Sequence, residues 1–427
     1  MLQTPRMTNG TYDILVIGGG PAGSTAAALA RKHGLKVAVV EKEKFPRFKI
    51  GESLLPNGNA LMRETGVWPK IEQAGFVKKF GAYFFLPSGD LQKEVIFSDG
   101  LVRGLENTFQ VERATFDKIL LDHAAELGAH VFENTAAKSV RADGDVSHVT
   151  LSHNGAERTV SARWILDGSG RENVFSCDLK RKFDAPRLEK RIAVYTHFSG
   201  VPRAEGKAAG HTIVIRLKRG WFWVIPVSEE HTSVGLVTEV DDLKGLAPAE
   251  AFQRAVDDTP RLKEWLRNAE RVMEFKVTSD YSYFREELAR DRLILLGDSA
   301  GFFDPIFSSG VYVAMYSAKR AIEMVLAADA AQRPLTRSEC VRYTKRIKQN
   351  ARVFEKLIHA FYDNDSFAIF MSTNPPFRID RGINSIVAGY SEINFAIWWR
   401  LQFFLVVCRL QKYFRLTPPI AFSPANS

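Results

Sequence analysis

Three glycines, Gly18, Gly20 and Gly23, form G-x-G-x-x-G directly after a β-branched run, YDILVI from Tyr12, and at the head of an alanine-rich stretch. Glycines so spaced permit a tight strand-to-helix turn and let a pyrophosphate approach the backbone at a helix N-terminus, where partial positive charge gathers. Glu41 closes the next β-run, KVAVVE, where a carboxylate accepts from a ribose hydroxyl. Strand, glycines, helix and terminal acid together predict a dinucleotide site without separating one dinucleotide from another. Trp221 and Trp223 alternate in WFWVIP, so a strand places both on one face, as plain core or as a screen between two reacting groups. Lys78 and Lys79 are adjacent in VKKFGAYF, and taken alone such a pair reads as solvated surface. Ser309 and Gly310 open a long apolar helix whose first amides can hold an anion. Arg47 and Arg113 could each pair with a cofactor phosphate or merely with surface acids, and Arg113, at the start of a helix in QVERATFD, is the favoured phosphate partner; Glu52 and Ser53 shape the loop between them.

These residues need elements to carry them. Tyr12 to Glu41 reads as a βαβ unit. Helical spacing continues from Asn57 to about Ala74, strands are expected near Ala82–Leu86 and Glu94–Phe97, and a helix from Arg113 to Leu127 leads into strands through about Ile165. From Arg191 to about Tyr283, alternating segments such as HTIVIRL and HTSVGLV predict an antiparallel sheet, the candidate substrate domain. RLILLGD then restores the buried-strand pattern, and a long helix runs to about Leu326. The expected class is α/β: a cofactor domain over residues 10–190 and 286–330, interrupted by a sheet at 191–285 and followed by a helical region over 331–427. In that tail, IWWRLQFFLVVCRL reads as a segment packed on the body, with a cap on the site or a membrane-surface contact as lesser alternatives.

Composition narrows the classes. A chain of 427 residues with 45% hydrophobic and 25% charged residues is that of a globular enzyme able to bury a cofactor. No apolar run approaches the roughly 20 residues that span a bilayer, and the first residues lack a secretory layout, so a cytoplasmic location is expected. The 58 basic against 49 acidic residues give a net charge of +9, which suits an acidic partner. The basic residues are scattered and form no stripe of the kind that binds nucleic acid. Cys177, Cys340 and Cys408 lie too far apart for a redox pair or a metal cluster; they are read as structural thiols, with no metal site.

GDSAGFFDP, containing Gly297 and Asp298, resembles the second flavin motif of the glutathione-reductase-like and hydroxylase-like FAD superfamily, where the acid contacts the ribityl region. Asp167 and Gly168 in LDGSG resemble its other Asp-Gly element. The resemblance implies FAD held by a Rossmann-like domain of that type. A second glycine fingerprint for NAD(P)H is not found, which makes a separate flavin reductase the expected partner.

Three further segments sharpen the resemblance. KFPRFKIGESLLP (Lys44 to Pro56), WFWVIP and DPIFSSG (Asp304 to Gly310) resemble the corresponding segments of flavin-dependent halogenases, enzymes of secondary metabolism, and the likeness runs from about Tyr12 to Leu326. In that family reduced FAD and oxygen give a C4a-hydroperoxide, chloride or bromide attacks its distal oxygen, and hypohalous acid travels through a passage to a separately held substrate. The resemblance makes Ser309 and Gly310 the halide loop and Trp221 and Trp223 the screen between flavin and substrate. It makes Lys79 the lysine that hydrogen-bonds hypohalous acid or carries it as a chloramine. The carboxylate that assists this lysine in the tryptophan branch has no counterpart, and VKKFGAYF is closer to the phenol and pyrrole branch. The implied substrate is an electron-rich ring, free or tethered to an acyl carrier. The alternative is a halogenase-like monooxygenase or oxidoreductase that transfers oxygen or hydride without halide chemistry.

Overall fold

The structure, a computed structural model, describes residues 10–422 apart from residues 90, 173, 175–181, 185–189, 280–281, 303, 374 and 421. Strand Tyr12–Ile17 is apolar on both faces and pairs in parallel with Val37–Val40 on one side and Ala156–Asp167 on the other. His130–Phe132 and Leu293–Leu295 extend this sheet in parallel at its two sides. Continuous β-branched runs suit such strands because both faces are buried: Ile14 and Val16 lie against helices, and Tyr12, Leu15 and Ile17 against the antiparallel strands Thr135–Asp143 and Val146–His153. Helix Pro21–Lys32 buries every residue from Pro21 to Ala30, which its small side chains permit, and lies between helices Arg113–Glu126 and Gly310–Ala330.

The second sheet runs through Arg191–Ser199, His231–Glu239, Gly220–Pro226 and Thr212–Arg216, all antiparallel neighbours. It then continues into Gly81–Phe85, parallel to Thr212–Arg216, and ends at Gln92–Ile96. Side-chain alternation reports which face a strand buries and is blind to the direction of its partner, so this parallel join is a feature that only the structure supplies. It also ties the segment around Lys79 to the sheet that carries the tryptophans.

The single helix expected from Asn57 to Ala74 is two, Gly58–Thr65 and Trp68–Gln73. Gly66 takes a left-handed φ of 90° at the first C-terminus, and Pro69 sits in the first turn of the second helix, so the helical spacing continues across a real break. The tail forms helices Arg337–Tyr362, Asn364–Met371, Ile379–Val387 and Phe395–Phe414. The last buries Ile397, Leu401, Phe404 and Cys408 while Phe395, Trp398, Leu410 and Tyr413 stay exposed, so the aromatic segment packs by one face. Cys340 and Cys408 are buried free thiols, and Cys177 lies outside the described residues. Among the described residues no helix is long and apolar enough to cross a membrane.

Candidate active site

The glycine motif is dictated by close approach. Gly18 has φ 91°, a Cβ on it would stand 2.4 Å from the Gly168 carbonyl oxygen, and a Cβ on Gly23 would stand 1.9 Å from the Gly18 carbonyl oxygen. Any side chain at either position would therefore push the strand, the turn and the helix apart. The Glu41 carboxylate accepts from the Gly19 amide at 2.7 Å and the Glu43 amide at 2.9 Å, so it holds the turn as well as lining the cavity above it. Asp167 is fully buried and accepts from the Ser169 amide at 3.0 Å, while its own carbonyl accepts from Ser299 Oγ at 2.5 Å. That bond joins the Asp-Gly element to the GDS turn beside Asp298.

The two arginines separate in role. Arg113 gives Nε and Nη2 to the two oxygens of Asp117, at 2.8 and 2.9 Å, and Nη1 to the carbonyls of Ile50 and Gly51, at 3.0 and 3.2 Å. Its donors are spent on holding the loop that leads to Glu52. Arg47 also reaches Asp117, through Nη1 at 3.0 Å, but its Nη2 lies 3.5 Å from the place where a Cβ of Gly20 would stand. Both guanidiniums line the cavity, and Arg47 is the one beside the glycine turn. Arg113 lines it from its helix start while its donors pair with Asp117 one turn later.

These groups converge on a cavity of about 630 Å³. Gly18, Gly20, Glu41, Arg47 and Asp298 form one part of its lining, and Ser53, Trp221, Trp223 and Gly310 another. Asp298 opens onto the cavity from a deep position, and burial pushes its carboxyl up against the opposing effect of Arg171, Lys49 and Arg113. The residues fit FAD: a side-chain-free cradle at a helix N-terminus with Arg47 beside it could hold a diphosphate, and the Glu41 and Asp298 carboxylates on the same cavity could accept from sugar hydroxyls.

At the other part, Trp221 and Trp223 both face the cavity with ring centroids 5.9 Å apart. Phe222 between them enters a different apolar cluster, as strand alternation requires. A Cβ on Gly235 would lie 2.1 Å from Cζ2 of Trp223, so the facing strand gives up a side chain to seat that indole. Ser308, at φ 55°, and Gly310 line the cavity at the start of helix Gly310–Ala330; Ser309 occupies the N-cap between them and is not part of the lining.

Lys79 ends strand Val77–Lys79, where alternation sends Lys78 to solvent and Lys79 inward to 2% exposure. Its amine donates to Ser53 Oγ at 2.7 Å and to the Leu54 carbonyl at 3.1 Å, and lies 5.3 Å over the Phe97 ring. Burial alone lowers the amine to about 7, and no carboxylate among the described residues offsets it. Ser53 also meets Thr212 Oγ1 at 3.0 Å, and Gln110 donates to Thr212 at 2.8 Å. Ser53 and Thr212 both line the cavity, so Lys79 stands one hydroxyl behind its wall. Thr212, Gln110 and the pairing of buried Glu52 with half-buried His197, at 2.7 Å, escaped sequence reading. They are ordinary polar residues in strands or loops and carry no spacing of their own.

Residues 11–339 match the FAD binding domain family. The 1H-pyrrole-2-carbonyl-[peptidyl-carrier protein] chlorinase of Pseudomonas fluorescens is 34% identical over 402 residues, 88% of each chain. Among solved structures, a flavoprotein/dehydrogenase from Cytophaga hutchinsonii superposes with a TM-score of 0.85 at 32% identity, covering 94% of this chain and 100% of that one. The flavin-dependent brominase Bmp2 superposes with a TM-score of 0.83 at 28% identity, covering 96% and 100%. Together with a cavity built for FAD, these likenesses place the chain among the flavin-dependent halogenases, FAD-dependent enzymes that take chloride or bromide as co-substrate.

Proposed function

We propose that this is a two-component halogenase: a separate reductase supplies reduced flavin, and Lys79 delivers oxidised halide to a pyrrolic or phenolic ring, carried on an acyl carrier or free. When bound in reduced form, FAD supplies the two electrons that reduce one atom of O2 to water, while the other oxygen atom oxidises halide to hypohalous acid. The observation that carries the reading is the state of Lys79, a fully buried amine lowered to about 7 and separated from the cavity by Ser53. A neutral amine has two N–H groups and a lone pair. Ser53 and Leu54 accept the two hydrogens, and the lone pair is left for an electrophile. The nitrogen takes halogen from hypohalous acid, losing a proton that leaves with hydroxide as water; the ring carbon then takes the halogen and its proton returns to nitrogen. Trp221 and Trp223 line the cavity, where they would screen flavin from ring and so favour delivery over direct oxygen transfer. The net charge of +9 suits an acidic carrier, and the relative from Pseudomonas fluorescens acts on a carrier-bound pyrrole.

Mass spectrometry of pyrrole-2-carbonyl carrier and phenolic probes, incubated with protein, FAD, a flavin reductase, NADH, oxygen and halide, tests this. A halogen isotope doublet that survives a scavenger of free hypohalous acid and disappears in Lys79→Met is the expected result. Oxygen incorporation without halogen at every halide concentration would replace it with a monooxygenase.

A further inference from the structure

Tyr362 is the last residue of the first tail helix, far in sequence from every motif, and it joins two of them. Its hydroxyl accepts from Nε1 of Trp221 at 2.8 Å and donates to Oδ2 of Asp304 at 2.9 Å. The other carboxylate oxygen accepts from the Ile306 amide at 3.0 Å, capping the turn Pro305–Phe307 that leads into Ser308 and Gly310. Burial raises the phenol well above its ordinary range, so its proton stays in place and the chain of donors runs one way, from indole through phenol to carboxylate. The Arg191 guanidinium lies 3.7 Å over the phenol ring and holds its plane. Tyr362 does not line the cavity, whereas Trp221 and Gly310 do.

We propose that Tyr362 is a positioning residue that sets the Trp221 indole and the Asp304–Gly310 loop against each other, and so sets halide affinity and the fraction of oxidant delivered. The claim rests on the halogenase reading above for its functional half. Neither side chain can find this geometry alone: an indole N–H has one donor and no acceptor, and the turn is capped by an acid whose second oxygen is buried. Loss of the hydroxyl strands both at once.

Tyr362→Phe keeps the ring and its stack on Arg191 while removing both bonds. In the cofactor-free protein, ultraviolet resonance Raman should lose the hydrogen-bonded indole N–H component, identified as the difference between wild type and Trp221→Phe. In the holoenzyme with chloride or bromide, the halide KM should rise about tenfold and halogenated product per oxygen consumed should fall about tenfold, the scale of one buried hydrogen bond. FAD affinity, read by flavin fluorescence, should stay within about twofold, because Tyr362 does not line the cavity. Trp221→Phe should repeat the loss of coupling, and the double variant should be no worse than Tyr362→Phe, as shared action requires. Unchanged halide KM and coupling in Tyr362→Phe would overturn the assignment. If that variant does not fold, Asp304→Asn, which keeps the volume and weakens the carboxylate end, is read for the same two quantities, and unchanged values there overturn the assignment equally. A wild type that forms no halogenated product would refute the proposed reaction instead, and the indole band would then decide the position of Tyr362 by itself, its absence in wild type overturning it.

Discussion

Replacing Lys79 with methionine removes the amine and keeps most of the side chain's length and volume. Burial lowers this amine from 10.5 to about 7, so in the native state it is neutral over a range where the unfolded chain still binds a proton. Stability therefore rises with pH between the two values, by about 1.4 kcal/mol per pH unit, and is unaffected below about 7, where both states are protonated. Methionine has no such slope. Between about pH 7.5 and about pH 9 the difference between the two proteins should move by about 2 kcal/mol in favour of wild type. The bonds lost to Ser53 and Leu54 add an offset that does not vary with pH, because neither acceptor titrates. A chain of this size unfolds with an entropy of roughly 0.9 kcal/mol per kelvin, so the difference in Tm should shift by about 2 °C across the window. Scanning calorimetry of both proteins at saturating FAD measures it, and other titrating groups cancel in the difference. Curves that stay parallel would mean that Lys79 keeps its proton when folded, and the neutral-amine argument for delivery would fall with it.

Three other substitutions probe the cavity, and a fourth probes the seat of an indole. Gly23→Ala places a Cβ 1.9 Å from the Gly18 carbonyl, so FAD binding should be lost in a flavin fluorescence titration. Arg47→Met should weaken FAD about tenfold or more, the value of a charge-assisted bond, with little change in Tm. Arg113→Met should instead lower stability by about 3–5 kcal/mol in a denaturant titration, because it removes the bidentate partner of fully buried Asp117. Equal effects of the two arginine variants on flavin affinity would contradict this division of roles. Gly235→Ala should displace the Trp223 indole at a cost of about 1–3 kcal/mol and raise the release of scavengeable hypohalous acid per product formed.

What could be read from the amino-acid sequence has a physical pattern. Gly18, Gly23 and Glu41 were legible because their constraints are local, a turn and the strand that follows it, and local constraints leave spacing in the chain. The halogenase-like segments around Glu52, Trp221 and Asp304 were legible for the same reason. Lys79 was placed by resemblance, but its bond to Ser53, 26 residues away, and the burial that lowers its amine depend on packing and on a strand phase that one sequence does not show. The way Arg47 and Arg113 are held could not be read, because both pair with Asp117, whose burial cannot be inferred from its position in an otherwise ordinary helix. The helix break at Gly66 was concealed because the apolar spacing resumes in phase beyond it.

The same contrast recurs at each functional wall of the cavity. Trp223 is held by Ser233 and admitted by Gly235, Trp221 is held by Tyr362, Lys79 by Ser53, and the loop before Glu52 by Arg113. In most of these pairs the holding residue comes from a different segment and has no spacing that marks it. Such partners act by orientation, and a buried donor left without its acceptor costs about 1–3 kcal/mol, while a misplacement of about 1 Å at reacting groups can cost about a hundredfold in rate. Two proteins with identical motifs can therefore differ in halide affinity and coupling through residues such as Tyr362 and Gly235. It follows that motif matching is a sound guide to the cofactor and a poor one to how completely the oxidant is delivered, since delivery depends on the angles these partners impose.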